Sequence, residues 1–268
     1  MKPMIEVHKL NKSFEDVHAV RDVSFDVAPG ECFALLGPNG AGKSTTIKML
    51  ITLLAPDSGE ATINGFSLKK EPSCVRESIG YVPQSLSVDG SLTGKENLVI
   101  FGKLYGLTSD QLKERVPKIL NMMDLTEASD RPVAHYSGGM VRRLEIGQSI
   151  LHRPAVVFLD EPTVGLDPVA RNALWGHIRE LRKEYGMTLL MTTHYMEEAQ
   201  VLCDRIAIMD KGRIEVMGTL KELRKIAHKP RASMDDLFVH FVGPAETNEQ
   251  QGGLASVKRS RRIARRLG

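Results

Sequence analysis

Cys32-Phe33-Ala34-Leu35-Leu36 runs straight into Gly37-Pro38-Asn39-Gly40-Ala41-Gly42-Lys43-Ser44, and Thr46 to Leu54 follows with helical character. Five apolar residues in a row read as a strand buried on both faces. The loop fits G-x-x-x-x-G-K-[ST], and its flanks supply the strand before and the helix after that such a loop needs. Its glycines let the backbone turn so that its amides converge on phosphate oxygens. Lys43 would reach the β- and γ-phosphates, and the Ser44 hydroxyl would hold magnesium. Thr45 would add a hydroxyl near the α-phosphate. The stretch therefore predicts an α/β fold built around a nucleoside triphosphate.

The rest of the chain supports that framework. Ile5 and Val7, then Val23, Phe25 and Val27, alternate with polar neighbours as half-buried strands do. Asn64-Gly65 between Thr62-Ile63 and Phe66-Ser67 is a hairpin signal. From about Leu92 to Leu151 apolar residues recur at helical spacing: Leu98, Phe101 and Leu104, then Leu112, Val116, Ile119 and Met123. Val156–Leu159 and Thr188–Thr193 return to buried strand, with a helix from Ala170 to Tyr185 between them. Ile206–Met209, Asp210-Lys211-Gly212 and Arg213–Met217 read as a closing hairpin. Buried strands alternating with helices imply a largely parallel sheet with helices on both faces, here interrupted by a helical insertion.

The chemistry continues in a second stretch, Ser137 to Asp167. Ser137-Gly138-Gly139 opens a helix, whose free amides attract anions. Further on, the apolar Val156-Val157-Phe158-Leu159 ends in Asp160-Glu161. Asp160 suits a magnesium shell, and Glu161 is the candidate to orient or deprotonate an attacking water. Adjacent strand residues point to opposite sides, but the strand is ending there, so both acids are expected at the site. His194 ends the strand Thr188–Thr193 and so belongs on the sheet edge where ligands sit. Gln84 follows Tyr81-Val82-Pro83 at the entry to the helical insertion. One phosphate loop already serves one triphosphate, so Ser137–Gly139 either supplements it or serves a nucleotide on another subunit; spacing leaves both open.

Bulk properties bound the function class. With 42 % apolar and 26 % charged residues the chain has ordinary globular usage. It contains no run of 18 apolar residues and begins without a signal-peptide pattern, so a cytoplasmic protein is expected. Three scattered cysteines lack metal-ligand spacing and argue against a disulfide framework. The net charge of +3 is uneven, because Lys258 to Gly268 carry six basic residues and no acid. Gly243 to Ser256 reads as a flexible connector to that tail. The tail suits a solubilising end or a loose contact with anionic lipid, and specific nucleic-acid binding is not expected.

Six ordered motifs give the chain a resemblance to the ATP-binding subunits of ATP-binding cassette (ABC) transporters. Gly37–Thr45 resembles the Walker A loop, and Gln84 stands at the Q-loop position. Ser137-Gly138-Gly139-Met140 is similar to the family signature. Val156–Asp160 resembles Walker B with Glu161 as catalytic glutamate. Gly165-Leu166-Asp167 looks like the D-loop, and His194 takes the switch-histidine position. Phe14, 23 residues before Gly37, takes the place of the aromatic that stacks on adenine.

The resemblance implies a P-loop NTPase (RecA-like) fold with a mostly parallel core sheet, an N-terminal antiparallel β subdomain and an inserted α-helical subdomain. It places an ABC ATP-binding domain at residues 1–227, with the helical part at about 86–153, and a C-terminal extension at 228–268. It further implies ATP and Mg2+ as cofactors, Gln84 joining Ser44 and Asp160 around the metal, and a head-to-tail dimer. In that dimer each ATP lies between one subunit's phosphate loop and the other's Ser137–Gly139, with Asp167 nearby. The second subunit can be identical or different. Membrane-spanning permease subunits are the expected partners, at the inner face of the cell membrane.

Two residues depart from the family pattern. Met140 stands where glutamine is usual, and a thioether cannot replace an amide's hydrogen bonds. Met140 followed by basic residues resembles the ABC-2-type exporters, including antibiotic-resistance and nodulation systems, as does Asp235–His240; export is therefore expected. Phe14 replaces the commoner tyrosine, keeping the stacking face and losing the hydroxyl. A chromosome-maintenance or repair ATPase would carry long heptads between Thr45 and Ser137, and none are present. A translation-type ATPase would carry two cassettes. A GTPase would need an acid where Asn11-Lys12-Ser13 is followed by Phe14. A binding-only half of an asymmetric pair is disfavoured by the presence of Lys43, Asp160, Glu161 and His194 together.

Overall fold

The structure, a computed structural model, describes residues 2–243. Two sheets share the chain. The smaller has four antiparallel strands in the order β2 (Val17–Val27), β1 (Ile5–Phe14), β4 (Ser58–Ile63), β5 (Phe66–Ser67). The larger has six in the order β10 (Arg213–Gly218), β9 (Arg205–Asp210), β3 (Cys32–Leu36), β8 (Thr188–Thr193), β7 (Val156–Asp160), β6 (Ile79–Val82). All its pairs are parallel except the edge pair β9–β10.

The two-residue period of β3 explains how one strand serves two cores. Cys32, Ala34 and Leu36 face one hydrophobic cluster; Phe33 and Leu35 face the other. The Phe33 side joins α1 (Lys43–Leu50), α2 (Pro72–Ser78) and the antiparallel sheet, through residues such as Ile47, Leu50, Val75, Val7 and Phe25. The Cys32 side joins the helices of the insertion and their neighbours: α3 (Gly94–Leu104), α4 (Ser109–Met122), α5 (Gly138–Ile150), α6 (Pro168–Tyr185) and α7 (Met196–Leu202). Each large side chain buried this way contributes roughly 1.5–3 kcal/mol. Every residue of β3, β7 and β8 is buried, including Asp160 and the threonines of β8.

Several boundaries shift for identifiable reasons. The alternation begun by Ile5 and Val7 breaks parity before Leu10, because left-handed Lys9 (φ 45°) makes a bulge. Helix α1 starts at Lys43 rather than Thr46 and stops at Leu50 rather than Leu54. Thr52 turns left-handed (φ 64°), and the amides of Leu53 and Leu54 fold back on the Lys48 carbonyl at 2.9 and 3.0 Å. Helix α6 gains Pro168 and Val169, since Asp167 caps it and proline suits the first helical turn.

The polar shift after Ile226 does not end the packed body. Helix α8 (Leu220–Ile226) leads to α9 (Met234–Val242), whose Met234, Leu237 and Phe238 are buried in the same cluster as Ile206 and Ile208 of β9. The body expected to close at residue 227 thus continues through α9. The connector and the basic tail from residue 244 onward lie outside the described residues. The cysteines form no bridge, yet Cys32 and Cys203 place their sulfurs 3.4 Å apart, and burial pushes the Cys203 thiol well up.

Candidate active site

Register brings the chemistry together. Leu36 pairs with Thr193 and Asp160 with Thr192, so β3, β8 and β7 end level on one edge of the sheet. The loop after β3 needs glycine twice over at Gly42. Its φ is +100°, and a Cβ there would press on the Ala19 carbonyl of β2. The same contact lays the β1–β2 hairpin beside the loop. Phe14 ends β1 on that hairpin with its ring 46 % exposed. Asn39 and Gly40 form the exposed tip of the loop, with Pro38 and Ala41 at its shoulders, and Ser44 and Thr45 are half-buried in the first turn of α1.

Lys43 is buried beneath the loop. Its Nζ donates to the carbonyls of Gly37 (2.8 Å) and Pro38 (3.1 Å) and stands 3.4 Å from Glu161 Oε1. Burial lowers its pKa, and Glu161 works against that shift by favouring the ammonium form.

Asp160 and Glu161 reach the same side because the strand breaks between them. Glu161 adopts a left-handed φ of 49°, at a cost of about 1–3 kcal/mol. Its amide is fastened to Thr192, through the carbonyl (3.1 Å) and Oγ1 (3.0 Å). Asp160 Oδ1 accepts from Ser44 Oγ (3.0 Å) and Thr192 Oγ1 (2.5 Å). Glu161 Oε2 accepts from Gln84 Nε2 (3.1 Å), and His194 Nδ1 lies 3.3 Å from Oε1 without hydrogen-bond alignment. Beneath this edge Tyr195 lies against His194 and under the Arg171 guanidinium (4.3 Å). Fully buried Glu198 accepts from Trp175 Nε1 (3.1 Å), and burial raises its carboxyl pKa.

The donor set fits magnesium carried by a nucleotide. Ser44 and Asp160 offer hard oxygen ligands side by side, and no group of three or more His, Cys, Asp or Glu suited to a metal exists among the described residues. Magnesium is usually held in this way, by one or two protein oxygens plus phosphates and waters. Gln84, expected beside the metal, is hydrogen-bonded to Glu161 through its amide nitrogen.

Ser137, Gly138, Gly139 and Asp167 stand apart from this cluster. Ser137 caps α5, its Oγ accepting from the Met140 amide (3.3 Å), and both Ser137 and Gly138 are exposed. Asp167 caps α6, accepting from the amides of Val169 and Ala170 at 2.9 Å each. The two helix starts abut: a Cβ on Gly139 would lie 3.2 Å from that of Ala170. The pair therefore presents one outward face rather than a wall of the Lys43 site.

Thr192 escaped the reading of the sequence, since a threonine in a buried strand looks like ordinary β-propensity. We predict that Thr192→Val, nearly isosteric, loses about 1–3 kcal/mol of stability, measured by denaturant unfolding. Activity dependent on Asp160 should fall about 10–100-fold, as when a ligand's supporting partner is removed. A valine variant with unchanged turnover would show that Ser44 alone orients Asp160.

Comparison with known proteins agrees with this geometry. Residues 20–164 match the ABC transporter family model. The Nod factor export ATP-binding protein I of Rhizobium sp. (strain N33) is 36 % identical, over 96 % of this chain and 92 % of that protein. The linearmycin resistance ATP-binding protein LnrL of Bacillus subtilis (strain 168) is 43 % identical, over 82 % of this chain and 70 % of its own length. The daunorubicin/doxorubicin resistance ATP-binding protein DrrA of Streptomyces peucetius is 46 % identical, over 82 % of this chain and 66 % of its own. A solved ATP-binding subunit of an ABC transporter superposes with a TM-score of 0.80 at 35 % identity, covering 89 % of this chain and 99 % of that one. The Walker-type loop, the strand-end acids and these relatives agree: the chain is an ATP-binding subunit of the ABC transporter family, in the branch of the export and drug-resistance ATP-binding proteins.

Proposed function

We propose that this subunit hydrolyses magnesium-bound ATP at a site shared between two ATP-binding subunits and drives export through separate membrane-spanning permease subunits. The observation that carries the reading is the convergence of Lys43, Ser44, Asp160, Glu161, Gln84 and His194 on one sheet edge, while Ser137–Gly139 faces outward. Ser44 and Asp160 would hold the magnesium, which neutralises charge on the phosphate oxygens. The loop amides and Lys43 bind the phosphates. Glu161, held by Gln84 at one oxygen, orients the attacking water and takes its proton at the other. His194 donates to the γ-phosphate or the water, and Phe14 stacks on the adenine.

Ser137–Gly139 and Asp167 serve the nucleotide of the second subunit, whether identical or different. The helical part, about residues 86–153, offers the surface for the permease. No helix among the described residues is long and apolar enough to cross a membrane. The likeness to ATP-binding subunits of transporters supports assigning the crossing to a partner and this chain to the inner face. Export rests on the likeness to Nod factor export and drug-resistance ATP-binding proteins and on Met140.

Phosphate release by purified protein tests the reading. We expect turnover with ATP that falls at least about 100-fold when magnesium is chelated, since several kcal/mol of charge stabilisation leave with the ion. Tight ATP binding without phosphate release, even when the permease is supplied, would reduce the chain to a binding-only subunit.

A further inference from the structure

One turn beyond its exposed start, α5 buries a charged pair that the catalytic scheme does not use. Arg142 and Glu145 are 3 % and 2 % exposed and pair at 2.9 Å. Both reach across to the segment after β6. Arg142 Nη1 donates to the Pro83 carbonyl (2.6 Å) and Nη2 to the Gln84 carbonyl (2.9 Å). Glu145 Oε1 accepts from the Ser87 amide (2.5 Å) and from Ser87 Oγ (3.0 Å). The helix that opens with Ser137-Gly138-Gly139 is thus fastened to the backbone of the residue whose side chain donates to Glu161.

Buried charges are costly unless fully paired, and a well-packed apolar set is often as stable. A guanidinium fork across two consecutive carbonyls adds what apolar packing cannot. It fixes the two peptides that flank the Gln84 Cα in orientation as well as position, which the point charge of lysine does not. Orientation of those peptides aims the Gln84 side chain. Conversely, a shift of Gln84 toward or away from Glu161 pulls on α5 through Arg142.

We propose that Arg142, braced by Glu145, is a positioning residue that transmits the state of the Gln84–Glu161 contact to the N-terminus of α5. Nucleotide in this subunit's own phosphate loop thereby sets the pose in which Ser137–Gly139 meets the partner's nucleotide. The inference rests on the shared-site reading above. It makes the two sites of a dimer interdependent through a contact inside each subunit.

The test uses the full chain with Glu161→Gln as parent, Arg142→Gln and Arg142→Lys as variants, and ATP as ligand. ATP affinity, measured below the dimerising protein concentration, should stay within about twofold of the parent, as expected of a site no mutated group touches. The protein concentration for half-dimerisation, measured by sedimentation, should rise about tenfold, within the range of coupling through a linking residue. Gln84→Ala should produce a similar rise, and its combination with Arg142→Lys should add less than about twofold, because both break one linkage. A folded Arg142→Lys protein that dimerises like the parent, or rises that multiply, would overturn the proposal.

Amide exchange at residues 138–141 provides a readout independent of dimerisation. At low protein concentration ATP should alter it in wild type and leave it unaltered in Arg142→Lys; an equal response in both overturns the coupling. If the Glu161→Gln parent fails to dimerise with ATP, the shared site is what fails, and exchange still decides the role of Arg142. Should Arg142→Gln not fold, Arg142→Lys, which keeps the charge facing Glu145, carries the test.

Discussion

Glu161→Gln is expected to lower ATP turnover by about 10²–10⁴-fold, the usual contribution of a positioned general base, while ATP binding is retained. The substitution keeps side-chain volume at a position 5 % exposed, so packing is preserved. It removes the carboxylate that Gln84, Lys43 and His194 all approach, at 3.1, 3.4 and 3.3 Å. An amide can neither accept the proton of an attacking water nor place a negative charge beside Lys43. Losing that charge also removes repulsion toward a triphosphate, so affinity for ATP should stay level or tighten. Phosphate release and equilibrium ATP binding, measured on the same preparation, separate the two effects. Turnover within a few-fold of wild type would remove Glu161 from the role of base.

Ser137→Arg, placed in the Glu161→Gln background, should abolish ATP-dependent dimerisation without impairing binding to the phosphate loop of the same chain. Ser137 is exposed, and its hydroxyl only caps its own helix. Removing that cap costs about 1 kcal/mol, too little to unfold the domain. A long side chain at the entrance instead blocks the free amides of Gly138 and Gly139 from a phosphate. Each charge-assisted bond lost is worth about 1.5–3 kcal/mol, and a symmetric dimer loses one at both sites. The sum, about 3–6 kcal/mol, weakens the dimer about 10²–10⁴-fold. Sedimentation with and without ATP measures it. A dimer that forms without ATP, or that tolerates the arginine, would show that the α5 terminus is not a wall of the second site.

The local half of this site could be read from the chain. Gly37–Ser44 carries its spacing, its strand and its helix within one short stretch, so no tertiary contact is needed to see it. The buried runs Cys32–Leu36 and Val156–Leu159 likewise announce a parallel sheet, and the strand-end position of His194 follows from chain direction alone. The proposal that Ser137–Gly139 and Asp167 serve a second half-site took the ordered motifs together, because a glycine-rich helix start has no partner written beside it.

Tertiary structure decided how these pieces act on one another. Whether Asp160 and Glu161 share a side depended on the left-handed φ of Glu161, held by Thr192 from a strand 32 residues from Asp160. Nothing local to Asp160 or Glu161 encodes that torsion, since the strand alone would point the two acids apart. The Arg142–Glu145 grip on Pro83, Gln84 and Ser87 spans about sixty residues, and on the helix alone it looks like an i,i+3 surface pair. Asp235–His240 reads as a packing helix, but its seat on β9 and α7 was equally hidden, because local spacing does not name the elements a helix packs on. By itself, then, the sequence determined the phosphate loop, the acids and the family, all of which live in short-range spacing. Only the folded chain decided which carboxylate oxygen faces which donor and how the start of α5 is tied to Gln84, because those depend on register and long-range contacts that local spacing does not contain.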